Sequence, residues 1–153
     1  MPILRRDRPE TAISLMLDIA FHAGRAGTVS AADIAERLGL ARRGMEPLLQ
    51  ALSRAGLLDS VRGPRGGYRL SRAAREITLA EIVAVAMAGE DEARETAHSP
   101  VGALHVAVVE TLWQALEERV AKELAGLTLD DLLKRAAKAG LIRPAVAPIT
   151  FAI

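Results

Sequence analysis

Residues 30–56, SAADIAERLGLARRGMEPLLQALSRAG, decide the fold. Ser30 is followed three residues later by Asp33, a helix-start signature in which the hydroxyl takes an amide that has no partner inside the helix. Ile34, Ala35 and Leu38 then recur at helical spacing, which predicts a helix over residues 31–38, with Gly39 giving the turn. A second helix is predicted over residues 41–55, with Met45, Leu48, Leu49, Leu52 and Ala55 on one face and Gly56 as its stop. Pro47 lacks an amide hydrogen and sits best in a first turn, so the regular part of this helix is expected to begin nearer Arg43 than Ala41.

Outward from this pair, residues 11–23 carry Ile13, Leu17 and Ala20, with Met16 and Phe21, at helical spacing, and Gly24 ends the run. Thr28-Val29 is a short extended piece. On the other side, Leu57-Leu58 and Tyr68-Arg69-Leu70 flank Arg62-Gly63-Pro64-Arg65-Gly66-Gly67, which predicts a β-hairpin around a Gly/Pro turn. Residues 78–87 form a further helix, capped by Thr78 with Glu81 three residues on. Residues 89–100 are polar and acidic and contain Gly, Ser and Pro, as a linker does. Residues 101–125 form a long amphipathic helix, and residues 128–139 a last one, capped by Thr128 with Asp131. The tail, 143–153, holds two prolines and Val146, Ile149, Phe151 and Ile153. The expected organisation is therefore 1–88, a linker over 89–100, the long helix and the short one after it over 101–142, and an apolar tail over 143–153.

Composition limits the function. Half of the 153 residues are hydrophobic but only 3% are aromatic, so Leu, Ala, Val and Ile fill the core, and Ala and Leu favour helix. No cysteine is present, which excludes disulfides and thiolate-ligated zinc or iron–sulfur sites. The first ten residues are charged, without the apolar segment of a signal peptide, and no apolar run reaches the length of a membrane span. A cytoplasmic protein is expected. There is no nucleophile–base–acid set, P-loop or dinucleotide fingerprint, so no enzyme is expected. The net charge of +1 divides unevenly: residues 1–75 hold 13 arginines against 7 acids, and residues 76–153 hold 7 basic and 12 acidic residues. A basic half beside an acidic half points to a nucleic-acid-binding part and a part that need not meet phosphate, although solvated helix faces give the same count.

Helix, Ser-capped helix, glycine turn, helix and Gly-tipped hairpin, in that order, make a winged helix-turn-helix, a mainly α fold with a small β-hairpin wing. The third helix fits the major groove, about 12 Å wide, and its leading residues meet base edges. Arg42, Arg43 and Glu46 are the candidates: arginine pairs with guanine and glutamate accepts from cytosine. The two arginines equally suit phosphates, and Glu46 equally suits an intramolecular pair. At the hairpin tip Arg62 and Arg65 project charge, as suits a narrow minor groove. Gly63, Gly66 and Gly67 are expected to take positive φ and let the backbone approach a phosphate or groove wall. Tyr68 either stacks at the wing base or packs in the strand. Ser30 caps its helix and, at a helix end facing DNA, helps hold a phosphate. Arg5, Arg6 and Arg8 add phosphate contacts or belong to a charged terminus. His22 is expected to interact with the carbonyls that end the first helix.

The segments Asp33–Gly39, Met45–Leu52 and Arg54–Leu70, with Ile77–Val83 after them, resemble the Rrf family of bacterial winged-helix regulators. That family includes the iron–sulfur cluster regulator, the nitric-oxide-sensitive repressor and the cysteine-metabolism repressor. The resemblance covers about residues 10–88 well and is weaker beyond. It implies a sequence-specific DNA-binding transcription regulator, a repressor in this reading, that acts as a homodimer on a double-stranded operator of near two-fold symmetry. The long helices would cross, and the stripe of Leu104, Val108, Val109, Leu112, Trp113, Leu116 and Val120 independently asks for a partner surface. Many members hold an iron–sulfur cluster through cysteines between the fourth helix and the dimer helix. The corresponding stretch here, 89–105, has none. Glu10 falls where some members supply a carboxylate ligand, but a carboxylate alone holds no cluster, so no cofactor is expected. Glu92, Glu95 and His98, with His105 further on, are the residues another metal would take there. Pro100 and Gly102 interrupt any helix in that stretch, and no metal site is assigned. The effector is left open. The alternative reading is a protein-interaction module that docks a partner protein through its dimer helix and tail.

Overall fold

The computed structural model describes residues 7–24, 27–88 and 100–144. Helix α1, Asp7–Ala23, begins earlier than the apolar pattern suggested. Pro9 falls in its first turn, where a missing amide breaks no helical bond, and the Thr11 hydroxyl donates to the Asp7 carbonyl at 2.5 Å. Ala12, Leu15, Met16, Ile19, Ala20 and Ala23 form its buried face. Helix α2, Ala31–Leu38, starts as expected: Ser30 accepts the Asp33 amide at 3.1 Å. It ends at Gly39, whose φ of 63° is the left-handed conformation that lets the chain turn at once into α3.

Helix α3, Arg42–Arg54, has Ala41 as its cap residue, without a side-chain bond. Pro47 lies in the second turn rather than the first, so the Arg43 carbonyl loses its helical donor. The helix continues because Met45, Leu48, Leu49 and Leu52 are buried along its other face, each contributing roughly 1.5–3 kcal/mol, while Pro47 and Arg43 are exposed to water.

Strands β1, Leu58–Val61, and β2, Gly67–Leu70, pair antiparallel with Leu58 opposite Leu70 and Val61 opposite Gly67. The extended piece before α2 joins them: Val29 donates to the Tyr68 carbonyl at 2.9 Å and accepts its amide at 2.8 Å. A 3-10 turn, Ala74–Glu76, leads to α4, Leu79–Met87. Beyond residue 100 a π-helical segment, His105–Glu110, runs into α5, Thr111–Gly126, and then α6, Leu129–Lys138.

The α1–α4 elements enclose one core, in which Leu15, Met16, Ile19, Ile34, Met45, Leu49, Leu52, Ile77 and Ile82 are fully buried. Helix α6, expected to accompany the long helix, places Leu129 and Leu133 in this same core. The attachment is backbone as well as apolar: Leu79 donates to the Leu127 carbonyl and Leu129 to the Ile77 carbonyl, both at 2.9 Å. Thr78 and Thr128, each the cap of its own helix, thus lie side by side. Arginines close two helix ends, where carbonyls lack partners. Arg8 Nε donates to Ala86 O of α4 at 3.1 Å, and Arg143 Nη2 to Ala20 O of α1 at 2.6 Å.

Candidate nucleic-acid interface

An ion pair ties α2 to α1 beneath the helix pair. Arg37 of α2 grips Asp18 of α1 with both arms of its fork, Nε to Oδ1 at 2.9 Å and Nη2 to Oδ2 at 2.8 Å. Asp18 is only 8% exposed, and its hydrogen bond raises the guanidinium pKa above the ordinary arginine value. His22 Nδ1 lies 3.0 Å from the Asp18 carbonyl, at the end of α1 as expected, and 3.4 Å from the Asp18 carboxylate. Arg37 is thereby committed to holding α2.

On α3, Met45 is fully buried and anchors the helix, while Arg42, Arg43, Gly44 and Glu46 are exposed. Arg42 Nε stands 3.6 Å from Glu46 Oε1, one turn away, with both side chains about half exposed or more (62% and 48%). These two candidate base readers therefore pair with each other in the free protein. Such an exposed pair is worth about 0–1 kcal/mol, so DNA can open it. Arg43 has no side-chain hydrogen bond or ion pair among the described residues. It lines a cleft of about 430 Å³ with Asp7, Thr11, Leu40 and Met45, between the first turn of α1 and the start of α3. Gln50, exposed one turn beyond Glu46, extends the outward row. Its i+4 spacing from Glu46 was the available signal, and glutamine suits adenine.

The wing carries Arg62 and Arg65 exposed on its turn, neither with a side-chain partner among the described residues. The turn is closed by the Gly66 amide to the Gly63 carbonyl at 2.9 Å, and the Thr28 hydroxyl donates to the Arg65 carbonyl at 2.8 Å. The expected conformation of the glycines needs one correction, at Gly66. Gly63 and Gly67 have positive φ, but Gly66 does not. Gly66 and Gly67 are required because a Cβ at either would collide with this chain's own backbone: Gly63 O at 2.8 Å for residue 66, and the Val29 carbonyl carbon at 2.6 Å for residue 67. These close approaches are within the wing turn for Gly66 and between the wing and the segment that starts α2 for Gly67. Tyr68 is half buried and packs against the core, which favours strand packing over stacking. Arg69 lies 3.7 Å from Asp59 across the hairpin.

Ser30 is half buried, its oxygen occupied by the α2 cap. Of the N-terminal arginines, Arg8 is engaged by α4, and Arg5 and Arg6 lie outside the described residues. Glu92, Glu95 and His98 also lie outside them, and no group of three or more His, Asp or Glu suited to a metal occurs among the described residues. None of the described helices is long and apolar enough to cross a membrane.

The long-helix stripe faces water in the single chain. Leu104 is 81% exposed and Leu112 58%; Val108, Val109, Trp113 and Leu116 are also exposed, and Val120 is half buried. The π segment bears on its alignment. Steps of four overshoot a 3.6-residue α turn, whereas the wider π turn undershoots slightly, which helps keep Leu104, Val108 and Leu112 in line.

Residues 6–135 match the family model described as Rrf2, iron-dependent transcriptional regulator. The chain is 36% identical over 123 residues to the HTH-type transcriptional regulator IscR of Xenorhabdus nematophila, covering 80% of this chain and 74% of that protein. Among solved structures it is similar to T. potens IscR, with a TM-score of 0.71 and 31% identity over 94% of this chain and 96% of that one. It is also similar to CymR (YrzC), the global cysteine regulator of B. subtilis, with a TM-score of 0.67 and 28% identity over 88% and 98%. The family match runs from α1 into α6 and so includes the long helix as well as the wing.

Proposed function

This chain belongs to the Rrf2 family of transcriptional regulators, and we propose that it acts in the cytoplasm as a homodimeric repressor of operators with near two-fold symmetry. The observation that carries the reading is the set of arginines left accessible at the start of α3 and on the wing turn, Arg42 and Arg43 with Arg62 and Arg65, while Arg37 of α2 and Arg8 of α1 are tied internally. Helix α3 enters the major groove. Arg43 meets a base edge or phosphate directly, and Arg42 and Glu46 do so once their mutual pair opens. Arg62 and Arg65 reach the backbone or the adjoining minor groove. The exposed stripe of α5 and its π lead-in covers the same stripe of a second copy and sets two α3 helices on half-sites about 34 Å apart. Occupation of such a site blocks a promoter that overlaps it.

The family's description as iron-dependent raises the question of a cluster. The 153 residues contain no cysteine, and carboxylates and imidazoles alone do not supply the thiolates that hold iron–sulfur clusters. A thiolate-ligated cluster does not fit this chain, and DNA binding is assigned to the metal-free protein.

Fluorescence anisotropy of metal-free protein on the duplex upstream of its own gene, against unrelated competitor duplex, tests the reading. Tight, competitor-resistant binding that weakens at least about tenfold between about 50 and 200 mM salt is expected. Failure to bind duplex DNA at any salt sinks it and makes the exposed stripe a docking surface for a partner protein instead.

A further inference from the structure

Residues 28–30 touch three separate parts of the reading head. Ser30 caps α2 through the Asp33 amide at 3.1 Å. Val29 exchanges both backbone hydrogen bonds with Tyr68 of β2, at 2.9 and 2.8 Å. Thr28 reaches furthest: its hydroxyl donates to the carbonyl of Arg65, at the tip of the wing, at 2.8 Å.

We infer that Thr28 is a positioning residue for DNA binding, whose hydroxyl holds the wing tip, and with it Arg65, at a fixed setting relative to the helix pair. The inference rests on the DNA-binding reading above. A two-stranded hairpin is pliable by itself. Here β2 is clamped at Tyr68, opposite Ser60 and one pair short of the turn, by the bridge to Val29, and Gly67 permits that close contact. The bridge stops at Tyr68, so the turn beyond it would be free to swing about the clamp. The Thr28–Arg65 bond is the side-chain contact from the α2 side that reaches the turn. Its acceptor is the backbone of the very residue whose guanidinium is to meet DNA, so losing it moves that group directly. Within the turn itself the Gly66 amide bonds the Gly63 carbonyl, and that bond closes the loop without fixing where it points. The bond also lies away from the core: Arg65 is exposed and Thr28 half buried, so it adds little to global stability.

The test compares Thr28→Val, which keeps the shape and removes the donor, with Thr28→Ser, which keeps the donor. Each is made alone and with Arg65→Ala. The readouts are anisotropy on the own-upstream duplex and on an unrelated duplex, and hydrogen exchange at the Gly66 amide in the free protein. Thr28→Val is expected to weaken DNA binding about three- to tenfold, the scale of one hydrogen bond, and to speed Gly66 exchange with the melting temperature unchanged. Thr28→Ser should stay within about twofold of wild type, and in the Arg65→Ala background Thr28→Val should have no further effect. Equal losses with and without Arg65, or faster exchange without loss of DNA binding, overturn the positioning role while leaving the regulator reading intact. If the wild type binds neither duplex, that reading fails and this inference with it.

Discussion

A methyl group at position 67 would stand 2.6 Å from the Val29 carbonyl carbon and 3.0 Å from the Ser30 amide nitrogen. Both are backbone atoms, fixed by the bridge to Tyr68 and by the start of α2, so neither can move aside alone. Gly67→Ala is therefore expected to detach the wing from the helix pair and to destabilise the protein by about 1–3 kcal/mol, the range for forced backbone strain. It should also weaken DNA binding more than Arg65→Ala does, because it displaces the wing as a whole. Urea unfolding and anisotropy measure the two effects, and a mutant indistinguishable from wild type in both contradicts the clamp. The glycines were visible in the sequence and their reason was not: a Gly-rich tip signals that a Cβ is forbidden without saying what it would strike. Ser30 and the Arg42 and Glu46 spacing were legible because their partners lie within one helical turn. The Asp18–Arg37 fork and the Thr28–Arg65 bond join different elements, and no local pattern announces such pairs.

The elements that begin at Thr78 and Thr128 share a device. In each, the threonine hydroxyl accepts the amide three residues on, and the acid at that position accepts the threonine amide, at 2.9 Å for both Glu81 and Asp131. The Glu81 carboxyl is held below its ordinary pKa, first by the Thr78 amide and then by Arg72 at 2.9 Å, and the Asp131 carboxyl is lowered first by the Thr128 amide. A carboxyl with a depressed folded pKa stabilises the fold above its unfolded pKa. That stabilisation is lost as the pH falls through the ordinary carboxylate range to the lowered value, because the unfolded chain takes up protons first. Thr78→Ala should cost about 1 kcal/mol at neutral pH, and Glu81→Gln, which removes the titrating carboxyl, should make stability fall less steeply on acidification. Urea midpoints of Glu81→Gln and wild type between about pH 7 and pH 3 measure the second effect, and parallel curves would show that Glu81 adds nothing to the acid sensitivity of the fold. Both boxes were legible as Thr-x-x-acid. Their side-by-side bridge was not, since the two segments are far apart in sequence. The π segment also escaped, because His105–Glu110 contains neither Gly nor Pro and a stripe at four-residue steps fits both helix types.

At the scale of the whole molecule, the winged helix is complete in one chain, while the long helix exposes its apolar side. Charge division and periodicity already set these two parts of the chain apart. What they did not give is the return of α6 to the core, which ties the far end of the long helix to α4 through the Leu79–Leu127 and Leu129–Ile77 hydrogen bonds. The long helix is thus held near its C-terminal end to the winged helix, and in the proposed dimer a partner covering its stripe would set the relative placement of two such units. Leu112 lies in the middle of that stripe, 58% exposed in the single chain, so a charge there costs the isolated chain little. Buried in a dimer without a counter-charge, it is strongly unfavourable. Leu112→Asp is expected to give a folded monomer by light scattering, with a thermal transition still cooperative and core packing intact. Without the second reading head, binding to a two-fold operator loses the gain from linked sites, about 100-fold or more, while weak binding to unrelated duplex persists. An unchanged dimer mass would move the interface off the stripe. A monomer that kept full operator affinity would instead mean that one copy suffices to read DNA, and the two-fold operator would have to be abandoned.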